Sequence, residues 1–235
     1  MKKQKKKRKL KVGRFFLLIV FVAIISFACH KRINIRIRSI SVNGNTILSD
    51  QEIIEQAKLS NYPSFFSILS FNVKKELLKN PYIEKANVKK GLLSLELNVV
   101  EKKVLYIDAS NNEKVTIDTS IKDNKIVCAP ILANEIPSNK IIGFKKAMMK
   151  IDSDIMCQMS SIKYEPNEKI DSDRYLVYMN DGNKVYLTIN KFKKINDYND
   201  IIEKIGKQNG TLYLDYGNYF EANWYISICF FLFMQ

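Results

Sequence analysis

Apolar and polar positions alternate most cleanly between Leu93 and Val99, where Leu93, Leu95, Leu97 and Val99 stand against Ser94, Glu96 and Asn98. A period of two over this length predicts a half-buried strand. Upstream, Ile83, Ala86 and Val88 share one side of a second strand after one slip, and Lys89-Lys90-Gly91 predicts the turn that makes a hairpin. Before it, Lys75–Lys79 with the pair Leu77-Leu78 predicts the end of a helix stopped at Asn80-Pro81. Proline lacks the N–H that a continuing helix needs and disfavours helix in the residue before it. Farther upstream, Ile35, Ile37, Ile40 and Val42 predict an entering strand ended by a Gly44-Asn45 turn. Ser49, with Glu52 three residues on, predicts a capped helix start whose buried side carries Ile53, Ile54, Ala57 and Leu59. Ser60–Ser70, with Pro63 and Phe65-Phe66, predicts a loop whose phenylalanines either cap a small core or meet lipid or a partner. The predicted order is β-α-α-β-β, closing near Glu101.

Beyond it the pattern is weaker at first. Val104–Ile107, Glu113–Ile117 and Ile126–Cys128 predict short strands, and Asn139–Ile155 a helix with Ile142, Ala147, Met148 and Ile151 on one side. The signal then strengthens. Ser161–Tyr164, Tyr175–Met179 and Lys184–Ile189 predict strands, the last two joined through Asn180-Asp181-Gly182-Asn183 as a hairpin. Phe192, Ile195, Tyr198, Ile202 and Ile205 form an amphipathic helical stripe ended by Gly206. Thr211–Tyr216 predicts a last strand, possible at a sheet edge, with Leu212 and Leu214 as its core-facing members. The whole reads as α+β, with a small first domain and then a mixed α/β domain built on an antiparallel sheet. The expected boundaries are 36–103 and 104–222, and an apolar tail of unassigned role fills 223–235.

Charge changes the picture at the N-terminus. Of 38 Lys and Arg, 13 lie in residues 1–38, where no Asp or Glu occurs, and the other 25 nearly balance the 24 acids. A nucleic-acid domain would carry its basic patch on the fold, so nucleic acid is not an expected partner. The basic segment 1–14 precedes Phe15–Cys29, fifteen residues broken only by Ser26. As a helix that run is about 22 Å, short of the hydrocarbon core of about 30 Å. Snorkelling by Arg14, Lys31 and Arg32 with local thinning would close the gap. An uncleaved anchor over 15–32 is favoured over lipidation at Cys29 and over a cleaved signal, because Ser26-Phe27-Ala28 fits neither processing site well. The basic flank then puts the N-terminus in the cytoplasm and the rest outside. The run Trp224–Met234 is too short to span a bilayer.

Candidate chemistry is sparse. His30 is the single histidine, which leaves the folded part without the usual general base or zinc ligand. Cys29, Cys128, Cys157 and Cys229 show no CxxC spacing. Cys128 and Cys157 read as two small buried thiols or as a disulfide pair. Asp152-Ser153-Asp154 and Asp171-Ser172-Asp173 lack calcium-loop spacing. There is no phosphate loop, no GxSxG, and no SxxK preceding a helix. No enzyme, metal or cofactor is expected.

The residues Asn80, Pro81, Ile83, Ala86, Val88, Lys89, Leu95, Leu97, Val99 and Glu101, with Ile40, Val42, Gly44 and Asn45 before them, resemble the POTRA domain of the FtsQ/DivIB cell-division family. Leu92 and Lys103 stand where that family commonly has proline. Asp215-Tyr216-Gly217-Asn218-Tyr219 resembles the late-strand motif of the family's β domain. The resemblance implies a single-pass scaffold at the division septum with no turnover of its own. Its implied partners are bitopic FtsL-type and FtsB/DivIC-type proteins, with an FtsW/FtsI-type pair at the POTRA domain. The expected partner-binding residues are Tyr213, Asp215, Tyr216, Gly217, Asn218, Tyr219 and Phe220. Two other classes stay open, a lipidated or secreted POTRA-containing polypeptide-binding protein and an enzyme with an unrecognised site.

Overall fold

The computed structural model describes residues 12–32, 35–206 and 208–223. The basic segment 1–11, Cys229 and the Trp224–Met234 run therefore lie outside the described residues. Two compact units follow one another, Met1–Val100 and Glu101–Gln235.

The first unit begins with helix α1, Val12–Arg32. Its apolar residues from Phe15 to Phe27 are exposed on every side. No helix among the described residues is long and apolar enough to cross a membrane. Then come strand β1 (Ser39–Asn43), helices α2 (Asp50–Gln56) and α3 (Ser70–Leu77), and strands β2 (Ile83–Lys90) and β3 (Ser94–Glu101). The sheet order is β1-β3-β2, with β1 parallel to β3 from Ser39↔Ser94 to Asn43↔Asn98. Helix α2 starts at the expected capping box. The Ser49 hydroxyl accepts from the Glu52 N–H, and the Glu52 carboxylate accepts from the Ser49 N–H at 2.9 Å. Asn80 ends the next helical segment, its Oδ1 accepting from the Tyr82 N–H at 3.0 Å. Ile53, Ala57, Leu59, Leu77, Ile83, Ala86, Leu95, Leu97 and Val99 are buried together with Leu48, Val73 and Tyr82.

One detail differs from expectation. Strand β2 runs through Lys89 and Lys90, so the turn is Gly91–Leu93, with Leu93 at φ 62° and Leu92 fully in solvent. Gly44 is required by space as well as by its φ of 86°, since a Cβ there would stand 2.2 Å from the Val99 carbonyl oxygen.

The second unit is a nine-stranded sheet in the order β12-β11-β10-β9-β8-β7-β4-β5-β6. Its strands are β4 (Tyr106–Asp108), β5 (Glu113–Val115), β6 (Ser120–Ile121), β7 (Ile131–Leu132), β8 (Met159–Tyr164), β9 (Arg174–Met179), β10 (Lys184–Thr188), β11 (Gly210–Tyr213) and β12 (Tyr219–Ala222). The sheet is mixed rather than antiparallel throughout. β10 is parallel to β11, and β7 is parallel to both β4 and β8. The expected strand Ile126–Cys128 is absent; that stretch is irregular and the chain pairs at Ser120–Ile121 and Ile131–Leu132 instead. The expected helix 139–155 is two, α4 (Ile141–Met148) and α5 (Ser153–Gln158), because the chain bends between them to bury Ile151 while Ile142 faces solvent. The stripe from Phe192 begins as a 3-10 helix, Ile189–Asp197, and continues as α6, Tyr198–Lys204.

The helices cover one face of this sheet. Phe144 of α4 stacks on Tyr175 of β9 at 5.0 Å, and Phe192 meets both rings edge-on at 5.9 and 5.2 Å. Cys128 and Cys157 are free, and both are exposed rather than buried. Although the residue is exposed, local desolvation of its sulfur, then a hydrogen bond with Cys128, pushes the Cys157 thiol up to about 11. The turn Asn180–Asn183 is a hub. Asn183 donates to the Tyr198 hydroxyl at 2.9 Å and accepts from the Gly210 N–H at 2.7 Å, tying α6 and the start of β11 to the β9–β10 hairpin.

Gly44→Ala is expected to destabilise the first unit by about 1–3 kcal/mol, since both conformation and contact must yield. Urea unfolding of the full chain measures it, and an unchanged midpoint would show that the turn has room. Burial, with the Asp108 charge behind it, pushes the Tyr106 hydroxyl up from 10.0 to about 12. The folded state holds that proton longer than the unfolded chain, so this contribution is complete below pH 10.0 and is lost as the pH rises to about 12. Unfolding curves across that window should fall less steeply for Tyr106→Phe than for the parent.

Candidate functional site: the tyrosine row at the β12 edge

Strand alternation puts Leu212 and Leu214 into the core and Tyr213 on the opposite face, away from the helices. Register does the rest. Leu176 of β9 pairs with Tyr186 of β10, Tyr186 with Tyr213 of β11, and Tyr213 with Tyr219 of β12. Three tyrosines from three adjacent strands therefore form one row. The Tyr186 and Tyr213 rings stack at 5.2 Å, and the Tyr213 and Tyr219 rings at 4.5 Å and 12°. The row ends at the sheet edge, where Tyr219 is half exposed.

Its inner end rests on a charge. The Arg174 guanidinium lies 3.6 Å from the centre of the Tyr186 ring, and its Nε donates to Asp215 Oδ2 at 2.6 Å. The Asp215 side chain is fully buried and that of Arg174 nearly so. Asp215 also accepts from the Tyr216 N–H at 2.8 Å, and its backbone carbonyl accepts from Lys191 Nζ at 2.6 Å. Two glutamates flank the row. Tyr213 donates to Glu221 at 3.2 Å and Tyr186 to Glu165 at 3.4 Å. Burial, then the hydrogen bond to Glu221, holds the Tyr213 hydroxyl above its usual range; burial and the Glu165 charge do the same for Tyr186.

The β11–β12 hairpin turns through Leu214–Asn218, with Gly217 at φ 89° and Asn218 at φ 52°. Glycine and asparagine are the residues that tolerate such angles. Lys194 Nζ donates to Asn218 Oδ1 at 3.2 Å. Close approach matters at Gly210, where a Cβ would stand 2.2 Å from the Glu221 carbonyl oxygen and 2.6 Å from the Phe220 ring.

The expected binding residues separate into distinct positions. Tyr213 and Tyr219 stack in the row, and Tyr216 projects into solvent from the hairpin, 72% exposed. Asp215 is buried under the row, Gly217 and Asn218 shape the turn, and Phe220 packs against the core. The last strand is not the edge. Thr211–Tyr213 lies between β10 and β12, and β12 is outermost; among the described residues nothing pairs with its outer side. Sequence reasoning passed over Arg174, Tyr186, Glu165 and Glu221. The alternation of Tyr186 against Val185 and Leu187 was a signal for one of them; the reach of Arg174 across two strands left none. In the first unit Val42 is half-buried in β1, Gly44 and Asn45 form the following turn, Ala86 is core, Val88 half-buried and Pro81 exposed. Asn45 Nδ2 donates to the Leu48 carbonyl and to Asp50, steadying the start of α2. These two sets of residues belong to separate units.

Among the described residues no group of three or more His, Cys, Asp or Glu could hold a metal ion. Residues 35–102 match the family described as POTRA domain, FtsQ-type. Cell division protein DivIB of Bacillus subtilis (strain 168) is 26% identical over 234 residues, covering 93% of this chain and 88% of that protein. The chain resembles the FtsQ/DivIB family. DivIB of Enterococcus faecalis (strain 62) is 28% identical over 190 residues, covering 73% of this chain and 49% of that protein. The major extracytoplasmic domain of DivIB from Geobacillus stearothermophilus, in its trans isomer, superposes with a TM-score of 0.36 at 22% identity, over 46% of this chain and 96% of that one.

Asp215→Ala is expected to destabilise the second unit by about 3–5 kcal/mol, because it strands the buried Arg174 charge. Lys163→Ala, which removes a partly exposed pair with Glu165 at 3.2 Å, should cost less than about 1 kcal/mol. Equal losses in the two variants, read by urea unfolding, would show that burial does not set the worth of the Arg174–Asp215 pair.

Proposed function

We propose that this chain is a non-enzymatic scaffold of the bacterial division machinery that holds partner proteins by its β12 edge. The observation that carries this reading is the free edge strand finished by a row of stacked tyrosines. An edge strand offers unpaired N–H and C=O groups to an extended partner segment. Tyr219 and Tyr213 offer rigid aromatic area at low entropic cost, and Tyr216 a further exposed ring. A strand added beside β12 would carry the row outward past Tyr219 and set a side chain beside Glu221.

The partners in this reading are FtsL-type and FtsB/DivIC-type bitopic proteins, as the resemblance implies, with an FtsW/FtsI-type synthase near the first unit. Helix α1 supplies the anchor, with the N-terminus cytoplasmic and both units outside, at the septum. Its exposed apolar run supports this, with flanking basic residues and local thinning making up the missing length. The working boundaries are 36–103 for the POTRA domain and 104–222 for the β domain.

The test is capture of the partner ectodomains by the full chain, with Tyr216→Ala and Tyr219→Ala beside the parent. Tyr219→Ala is expected to weaken capture about tenfold or more, the scale of an interface anchor. No capture by a folded parent would sink the scaffold reading. Equal capture of unrelated extended peptides would instead favour a general polypeptide-binding protein, secreted or lipidated.

A further inference from the structure

Three segments of the first unit meet around the point where the chain leaves α1. Residues 35–38 read IRIR, residues 64–71 SFFSILSF and residues 89–93 KKGLL. Backbone bonds join them. The Phe65 N–H donates to the Ile35 carbonyl at 2.8 Å, the Ile37 N–H to the Pro63 carbonyl at 3.3 Å, and the Arg38 N–H to the Leu93 carbonyl at 2.8 Å. Lys90 Nζ donates to the carbonyls of Phe65 and Ile68 and sits 5.1 Å over the Phe65 ring. The side chains left outward are large and apolar: Phe66 is 55% exposed, Leu69 61% and Leu92 95%. Isolated exposed apolar residues need no explanation, but three at one pole of a small domain do. Arg36, Arg38 and Lys90 add positive charge, and none of the three segments carries Asp or Glu. Lys89 is matched by Glu96 at 3.9 Å and is not counted among these charges.

We infer that this pole is a collar that docks on the surface of an anionic lipid bilayer. The inference rests on the proposed seating of α1 in the membrane and goes beyond it. Covalent geometry sets the distance. Helix α1 ends at Arg32 and the collar begins at Ile35, three residues on. Three Cα steps of about 3.8 Å allow at most about 11 Å. A domain held that close to headgroups meets the bilayer with whichever face surrounds its tether, and here that face is apolar side chains among uncompensated cations. Groups of this kind embed roughly 5–10 Å at the headgroup–acyl boundary, while arginine and lysine are drawn to anionic lipid. The collar would fix the tilt of the first unit against the bilayer.

The experiment uses the full chain in vesicles of phosphatidylcholine and phosphatidylglycerol whose acyl chains are brominated near the headgroup. With Trp224→Phe as background, a tryptophan is introduced by Phe66→Trp, by Leu92→Trp, or by Asn43→Trp at the far end of β1. All three positions are exposed, so each variant should fold. The expected result is loss of most emission at positions 66 and 92, none at 43, and a smaller loss in vesicles without the anionic lipid. Carbonate-resistant flotation of the same samples reports the anchor separately. Protein that floats but shows position 66 and 92 emission as bright as 43 overturns the collar and leaves the anchor standing. Protein that fails to float overturns the anchor, and quenching at 66 and 92 in neutral wash then still supports a peripheral collar. Shielding at 66 and 92 only when a second division protein is added would give the face to a protein and overturn the lipid assignment.

Discussion

A buried ion pair between strands that do not touch holds the β12 edge of the second unit. Arg174 leaves β9, lays its guanidinium on the face of the Tyr186 ring of β10 and reaches Asp215 just beyond β11. Neither charge has water to fall back on, so each demands the other, and the guanidinium that Asp215 fixes also lies against the Tyr186 ring. Because Asp215 also accepts from the Tyr216 N–H, the same pair sets where the chain leaves β11 and begins its hairpin. The position of β12 follows from that departure. The tyrosine row is thus a consequence of electrostatics underneath it as much as of stacking within it.

The two units solve different problems with the same alternation. In the first, β3 is the central strand with Leu95, Leu97 and Val99 buried, while α2 packs on the β1 flank and α3 on the β2 flank. Its opposite pole is not closed, and the exposed apolar side chains gather where the chain arrives from α1. In the second, helices pack on one face of a long sheet, and the opposite face carries the row Tyr186, Tyr213 and Tyr219. A mixed sheet of nine strands necessarily has two edges, and the strand at one of them is short and aromatic-ended.

Much of the order of elements was legible along the chain, for local reasons. The Ser49–Glu52 capping box, the Asn80-Pro81 stop, the turn at Asn180–Asn183 and the alternation from Leu95 to Val99 are each decided within a few residues, by hydrogen-bond geometry or by period. Where strands have two or three residues the period has no room to declare itself. Ile126–Cys128 therefore read as a strand, and Ser120–Ile121 and Ile131–Leu132 did not. The long helix expected from 139 to 155 breaks because burying Ile151 against the sheet outweighs continuing the backbone ladder.

The sequence by itself determined which residues face inward along each strand and which tyrosines stood on the last one, since side-chain period is a property of local backbone geometry. Only the tertiary structure decided that Tyr186, Tyr213 and Tyr219 share a row, that β12 rather than β11 is the edge, and that Arg174 finds Asp215 forty-one residues away. Inter-strand register and buried charge pairing are non-local, and no window along the chain contains both partners.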